Sequence, residues 1–296
     1  MANILDEIKS SFKTGDALTR LILINLGVYV AFLLLRILSF LLQTDIASFF
    51  ISFTALPSDL ITLATRPWTL VSYMFLHEGF MHILFNMLWL FFGSKLFLEY
   101  FGSRRLISTY LMGGIFGGLL YVVFYNIFPA FNEVVEISNN RGASAGVMAI
   151  IFAIATYNPK FPVRIFFIAS VPLWGVAAFA LLTDLIGLGE GANAGGRIAH
   201  IGGAAFGFLM ARANRENRDL TEGFSSILDR IANLFKSKSK LKTVYSSGGF
   251  NKGYRQKSSP QTSEDKLNQI LDKISNSGYD SLSKDEKEHL FKFGKD

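Results

Sequence analysis

The stretch GGRIAHIGGAAFGFLMA, residues 195–211, decides how the rest of the chain is read. Ala199, Gly203, Gly207 and Ala211 recur at every fourth position, which aligns them on one helix face. A ridge of such small residues lets helix backbones approach closely, as membrane helices do where lipid offers no hydrophobic drive to associate. A second ridge, Ala145, Ala149 and Ala153, begins in RGASAGVMAI (141–150). Ser144 and His200 each stand beside the first residue of their ridge. If the ridges pack, hydroxyl and imidazole come within hydrogen-bond reach. Taken singly, each has a plainer reading: a serine bonding back to its helix carbonyls, and a core histidine. An unpaired imidazole buried at that depth is costly, which favours reading the two together.

Composition agrees with a membrane setting. Half the residues are hydrophobic, 29 are phenylalanine, and the mean hydropathy is positive. The chain has no cysteine, which excludes disulfides, a thiol nucleophile and thiolate metal sites. A net charge of +6 raises nucleic acid as a partner. The basic residues instead cluster in short loops and a polar tail, the pattern of a cytoplasm-facing membrane protein, so no nucleic acid is expected. Residues 1–20 are polar and of mixed charge, unlike a cleaved signal peptide.

Apolar runs fall at about 20–43, 79–98, 106–128, 142–157, 165–188 and 197–211. At 1.5 Å per residue the first spans roughly 34 Å, enough for a bilayer core. The fourth and sixth are shorter and rich in Gly and Ala, and are read as central helices. The fold expected is therefore an all-α membrane protein, a bundle of six transmembrane helices with a small cytoplasmic helical tail. Arg104 and Arg105 lie between runs two and three, Lys160 and Arg164 between four and five, and eleven more Lys and Arg in 212–257. The opposite side carries Arg66, Arg141 and Arg197. Both termini are thus expected in the cytoplasm, which requires an even number of spans. The domain reading is a cytoplasmic segment at 1–19, a membrane domain at 20–211, a basic linker at 212–262 and a helical hairpin at 263–296. In the last, Ser283 and Glu286 form an S-x-x-E capping box. The broken apolar connection containing FFISFTALPSDLITL reads as an element lying in the outer interface.

HEGFMHILFN (77–86) nearly spells the zinc-protease pattern H-E-x-x-H, with one residue too many. Residues five apart on a helix differ by about 140° in direction, so His77 and His82 cannot share one metal from one helix. His77 and Glu78 are read as interface polar residues, and no metal is expected. His82 and Asn86, four apart, do share a face. With both termini inside, runs two, four and six all enter from the outer side, and each carries its polar groups near that entry: His82 and Asn86, Ser144, His200. Serine becomes a nucleophile when a base accepts its proton, a role for His200. An oxyanion then needs hydrogen-bond donors, which Asn86, His82 and backbone amides near Gly142 and Ser144 supply. Asp184, the one acid well inside a run, reads more readily as an anchor or an interhelical hydrogen bond than as a third member. The expectation is a Ser-His dyad.

This constellation resembles the rhomboid family of intramembrane serine proteases. The matching residues are HxxxN (His82, Asn86), GxSx (Gly142, Ser144) and AHxxGxxxG (Ala199, His200, Gly203, Gly207), in family order, over about residues 65–211. The resemblance implies a six-helix fold whose site opens to the outer side, and cleavage of single-span membrane proteins near a helix end. It implies no metal or cofactor, and gives the roles of nucleophile to Ser144, base to His200, and oxyanion partners to Asn86 and His82. The chain departs from the pattern in three places: Thr69 follows Trp68, Met148 stands where an aromatic often stacks on the base, and Ala145 follows the serine. The partners expected are transmembrane protein substrates and membrane lipid, and the compartment a bacterial plasma membrane. The glycine-rich stretch 188–196 is a candidate cap over the site. Two other readings stay open, a non-catalytic binder of membrane helices and a small transporter; the intact Ser144–His200 pair and the lack of an internal repeat weigh against them.

Overall fold

A short amphipathic helix, α1 (Ile4–Thr14), leads into α2 (Ala17–Leu42), whose start is fixed by Asp16: its carboxylate accepts the Thr19 N–H at 2.8 Å. The computed structural model describes residues 4–165, 169–191, 193–235 and 263–293, in two units, Met1–Ser237 and Lys238–Asp296. Helix α2 is apolar on every side yet buries little more than Leu18, Leu21, Asn25 and Phe32, leaving Leu34 and Phe40 bare. A helix so exposed and so apolar is at rest in lipid rather than water.

The connection that follows folds into α3 (Ile46–Thr54), β1 (Leu56–Pro57), α4 (Leu60–Thr65) and α5 (Thr69–Ser72), ending in a 3-10 turn at Tyr73–Phe75. Side chains stitch it together: Arg66 Nη1 donates to Ser52 O at 2.6 Å, Trp68 Nε1 to Phe53 O at 2.8 Å, and Ser72 Oγ to Thr54 O at 2.7 Å. Phe49 and Ile61 point outward. The connection is thus a compact element with an apolar outer face.

Apolar runs two and three form one assigned helix, α6 (Phe80–Ile127), broken only at Gly102, whose φ of 76° and ψ of 170° are not helical. Glycine reaches that conformation without steric cost, and the chain turns back there. The first half of α6 runs alongside α7 (Ser144–Tyr157), with Gly93 against Ile150 and Ile151. The second half runs against it, with Gly117 near Ala145 and Gly113 near Ala149. Before α7 lies β2 (Asn139–Asn140), which pairs antiparallel with β1 in the register Leu56↔Asn140 and Pro57↔Asn139. The loop that presents Ser144 is thereby tied to the interfacial connection.

The fifth run differs from its expected bounds. An antiparallel pair, β3 (Pro162–Ile165) and β4 (Ala169–Pro172), stands there, and helix begins only at α8 (Leu173–Gly189). Prolines at both ends and the β-branched Val163, Ile165 and Val171 favour extended backbone there. At its other end α8 continues to Gly189, so the glycine-rich stretch narrows to a few residues before α9 (Ala194–Arg215).

Helix α7 is the centre. Its residues 145–151 are all buried, and α6 and α9 cover it. The expected ridges meet in register. A Cβ added at Gly203 would stand 2.0 Å from the Ala145 carbonyl oxygen, and one at Gly207 2.1 Å from that of Ala149. Backbone lies on backbone, one turn after another.

The linker expected at 212–262 is in part a helix. α10 (Glu222–Phe235) packs on α6, with Ser225 Oγ 2.6 Å from Ser108 Oγ and Arg104 Nε donating to Asp229 Oδ2 at 2.9 Å. Arg105 bonds Asp219 Oδ2 and Asn214 Oδ1, each at 2.7 Å. Burial acts to raise the Asp219 carboxyl, but hydrogen bonds from Thr221 and Arg105 outweigh it and leave the group below its ordinary range. Residues 236–262 of that linker lie outside the described residues.

In the second unit the described residues form two helices, α11 (Ser263–Ser277) and α12 (Lys284–Phe293). The capping box is formed: Glu286 accepts the Ser283 N–H at 2.7 Å, and Ser283 Oγ accepts the Glu286 N–H at 3.3 Å.

Candidate active site

One cavity of about 840 Å³ is lined by His82, Asn86, Ser144 and His200 together, with Asp184 and Met148 among the other walls. They arrive on three elements, α6, α7 and α9, each for a local reason. His82 and Asn86 sit in the first two turns of α6, and Asn86 Nδ2 donates to the His82 carbonyl at 2.9 Å, the four-residue spacing of one helix face. Ser144 is the first residue of α7, after a loop whose Ala143 and Gly142 are small. His200 is in the second turn of α9, held at that level by the Ala145–Gly203 contact one turn below.

Gly142 is required twice over. Its φ of 127° is one that residues with a side chain rarely adopt. A Cβ there would also stand 2.8 Å from His82 Nε2 and 3.8 Å from Ser144 Oγ. The imidazole of His82 therefore lies directly over the backbone in front of the serine.

Two residues join the site that the sequence reading set aside. His77, read as an interface group, is fully buried. Its Nε2 receives the Ala143 N–H at 3.4 Å, its Nδ1 meets Phe75 O at 3.3 Å, and its ring packs edge-on to His82 with centroids 5.1 Å apart. One neutral tautomer satisfies both bonds, and burial, then the His82 ring beside it, pushes the group down to about 4. Glu78 does sit at the rim, paired with Arg141.

Asp184, read as an anchor or an interhelical hydrogen bond, makes such a bond across to His200. Its Oδ1 and Oδ2 are 3.1 and 3.0 Å from His200 Nδ1. A carboxylate at Nδ1 calls for the proton there, which leaves Nε2 as the acceptor. Arg197 Nη1 stands 3.6 Å from Asp184 Oδ1 and donates to Thr183 O at 2.7 Å. A signal for this contact exists in the sequence: Asp184 and His200 lie sixteen residues apart, roughly symmetric about the turn between Glu190 and Asn193. Antiparallel helices pair positions equidistant from their turn. Among the described residues no hydrogen bond joins Ser144 Oγ to His200, although both line the same cavity. Catalytic hydrogen bonds are often long before substrate binds.

The fold and this cavity define a class, a helical membrane protein with a serine and a carboxylate-backed histidine on one cavity. A model of the rhomboid domain matches residues 64–216, more than half of the chain, and the chain belongs to the rhomboid family. It is an integral membrane protein. It is similar to RHOMBOID-like protein 12, mitochondrial, of Arabidopsis thaliana, with 26% identity over 211 residues, 69% of this chain and 60% of the relative. The chain thus spans less than two thirds of that relative's length. Residues 256–296 match a second model, described as a family of unknown function, DUF6576.

Proposed function

We propose that this chain is an intramembrane serine endopeptidase that cleaves single-span membrane proteins near the outer end of their transmembrane helix. The observation that carries the reading is the shared cavity of Ser144 and His200, set by the register of two small-residue ridges. In this reading His200 Nε2 takes the proton as Ser144 Oγ attacks the scissile carbonyl carbon. The oxyanion is met by Asn86 Nδ2, by His82 Nε2 and by the first-turn N–H groups of α7, which have no carbonyl partner within the helix. The imidazolium then protonates the leaving amine, and water, activated by the same base, releases the acyl-enzyme. No step calls for a metal or cofactor.

Substrate reaches the site from lipid in this proposal. Phe85 and Trp89 of α6 and Val176 and Phe179 of α8 line the cavity, and all but Val176 are substantially exposed. A regular substrate helix hides its carbonyls in internal bonds, so scissile regions rich in small or helix-breaking residues are preferred. The proposed topology is six spans, counting α2, both halves of α6, α7, α8 and α9. Of these, α2 and the whole of α6 are each long and apolar enough to cross a membrane by themselves, and α7 and α8 are shorter apolar helices. The distribution of Lys and Arg supports both termini in the cytoplasm, here of a bacterial plasma membrane.

The test is cleavage of a single-span substrate by purified protein in lipid vesicles. Wild type is expected to cleave, and Ser144→Ala and His200→Ala to lose cleavage while remaining folded. Cleavage that survives Ser144→Ala would sink the proposal.

A further inference from the structure

We propose that Asp184 is a positioning residue for His200, making the site a Ser-His-Asp arrangement rather than a dyad; this rests on the serine endopeptidase reading. Three observations carry it. Asp184 is the only acid in α8, and its side chain is 10% exposed, in a helix whose Phe179, Leu182, Leu185 and Ile186 face outward. A carboxylate is costly to bury without partners, and both its oxygens are directed at one ring nitrogen, His200 Nδ1. The support behind it is built. Arg197 places its guanidinium beside Asp184 and against Gly187, where an added Cβ would stand 2.0 Å from Cζ. The bare α8 backbone at Gly187 is the slot that admits it.

The chemistry follows from the geometry. A carboxylate on Nδ1 keeps the proton on that nitrogen, so Nε2 keeps the lone pair and is the atom able to accept the serine proton in the cavity the two residues share. When Nε2 accepts the serine proton, Asp184 stabilises the imidazolium without itself taking a proton. Arg197, with Nη1 3.6 Å from Asp184 Oδ1, holds the carboxylate in place. The other nearby wall, Met148, has no group able to hold an imidazole in one orientation. Asp184 touches neither substrate nor serine, and acts through His200.

The competing explanation is that Asp184 serves only to balance Arg197. The experiment compares full-length wild type, Asp184→Asn, Asp184→Glu, Arg197→Gln and the Asp184→Asn/Arg197→Gln double variant in lipid vesicles, with Ser144→Ala as the blank. Readouts are kcat and KM on one single-span substrate, and the rate at which a fluorophosphonate labels Ser144. If Asp184 positions His200, Asp184→Asn lowers kcat and labelling by about 100-fold or more with KM little changed. Asp184→Glu recovers at least tenfold of that, and the double variant falls by the same factor relative to Arg197→Gln. Because the double variant removes the arginine as well, it reads the effect even if Asp184→Asn alone unfolds. A double variant as active as Arg197→Gln overturns the proposal while leaving the endopeptidase standing. Activity that survives in Ser144→Ala overturns the endopeptidase and this proposal with it.

Discussion

Two of the seams of helix α9, those with α7 and with α8, are made of different things. Against α7 it offers bare backbone: Gly203 and Gly207 rest on the carbonyls of Ala145 and Ala149. Against α8 it offers side chains, Arg197 over Gly187 and His200 on Asp184. The first seam leaves no atom free to shift and fixes the height of His200 relative to Ser144. The second fixes only the direction of the ring, through groups at the ends of side chains. Helix α8 itself is largely bare, with Trp174 and Phe179 outward, and so is free to move more than α7. Under the proposed function, a rigid seam for distance and a compliant one for orientation would suit a site that admits a substrate helix and still holds its base.

Substitutions break the two seams differently. Gly203→Val drives a branched side chain into the Ala145 backbone, and is expected to cost about 3 kcal/mol or more and to abolish cleavage. Thermal unfolding in detergent micelles measures it; an unchanged midpoint would mean that the helices are not seated as described. His77→Ala comes next. It empties a buried site and strips the Ala143 N–H of its acceptor just ahead of the serine, for about 2 kcal/mol by the same assay. Cleavage falls with it, as the His82 ring loses its neighbour. Gly187→Ala, on the compliant seam, meets only a guanidinium that can swing aside. The expectation is a loss of about 1 kcal/mol or less, with a larger proportional loss of kcat than of stability. Equal damage from Gly187→Ala and Gly203→Val would erase the distinction between the seams.

The smallest effect lies outside both. In the tail, the Lys273 side chain, followed by the Ser283 backbone N–H, holds the Glu286 carboxyl down to about 2. A carboxyl lowered on folding stabilises fully above its unfolded value of ~4.3 and loses that contribution as pH falls through the folded value. Amide-exchange protection in the first turn of α12 is therefore expected to be flat down to about pH 4.3 and to decline between there and about 2. A decline centred near pH 6 would assign the cap to some other group.

The rigid seam was legible because its code is local: a small residue every fourth position states both the face and the register. The meeting of His82, Asn86, Ser144 and His200 in one cavity was anticipated from the place of each near the start of its helix, and the S-x-x-E cap from four letters. Asp184 was read as an anchor or an interhelical hydrogen bond without a named partner, because that partner is set by the register of α8, which depends on where that helix begins. The continuous apolar run from 165 concealed the β3–β4 pair and with it the true start at Leu173. His77 was missed because it lies in irregular backbone between Phe75 and Phe80, where no periodicity says which way a side chain points. Helix α10 was hidden by its polar, basic surroundings, its apolar face being short.

The central claim is that Ser144 is an activated nucleophile because His200 faces it across the cavity. Covalent labelling by a fluorophosphonate, located by mass spectrometry in wild type and in folded His200→Ala, tests it most directly. The account predicts label on Ser144 in wild type and its near-complete loss in the variant. Equal labelling of both, or label on another serine, would contradict it.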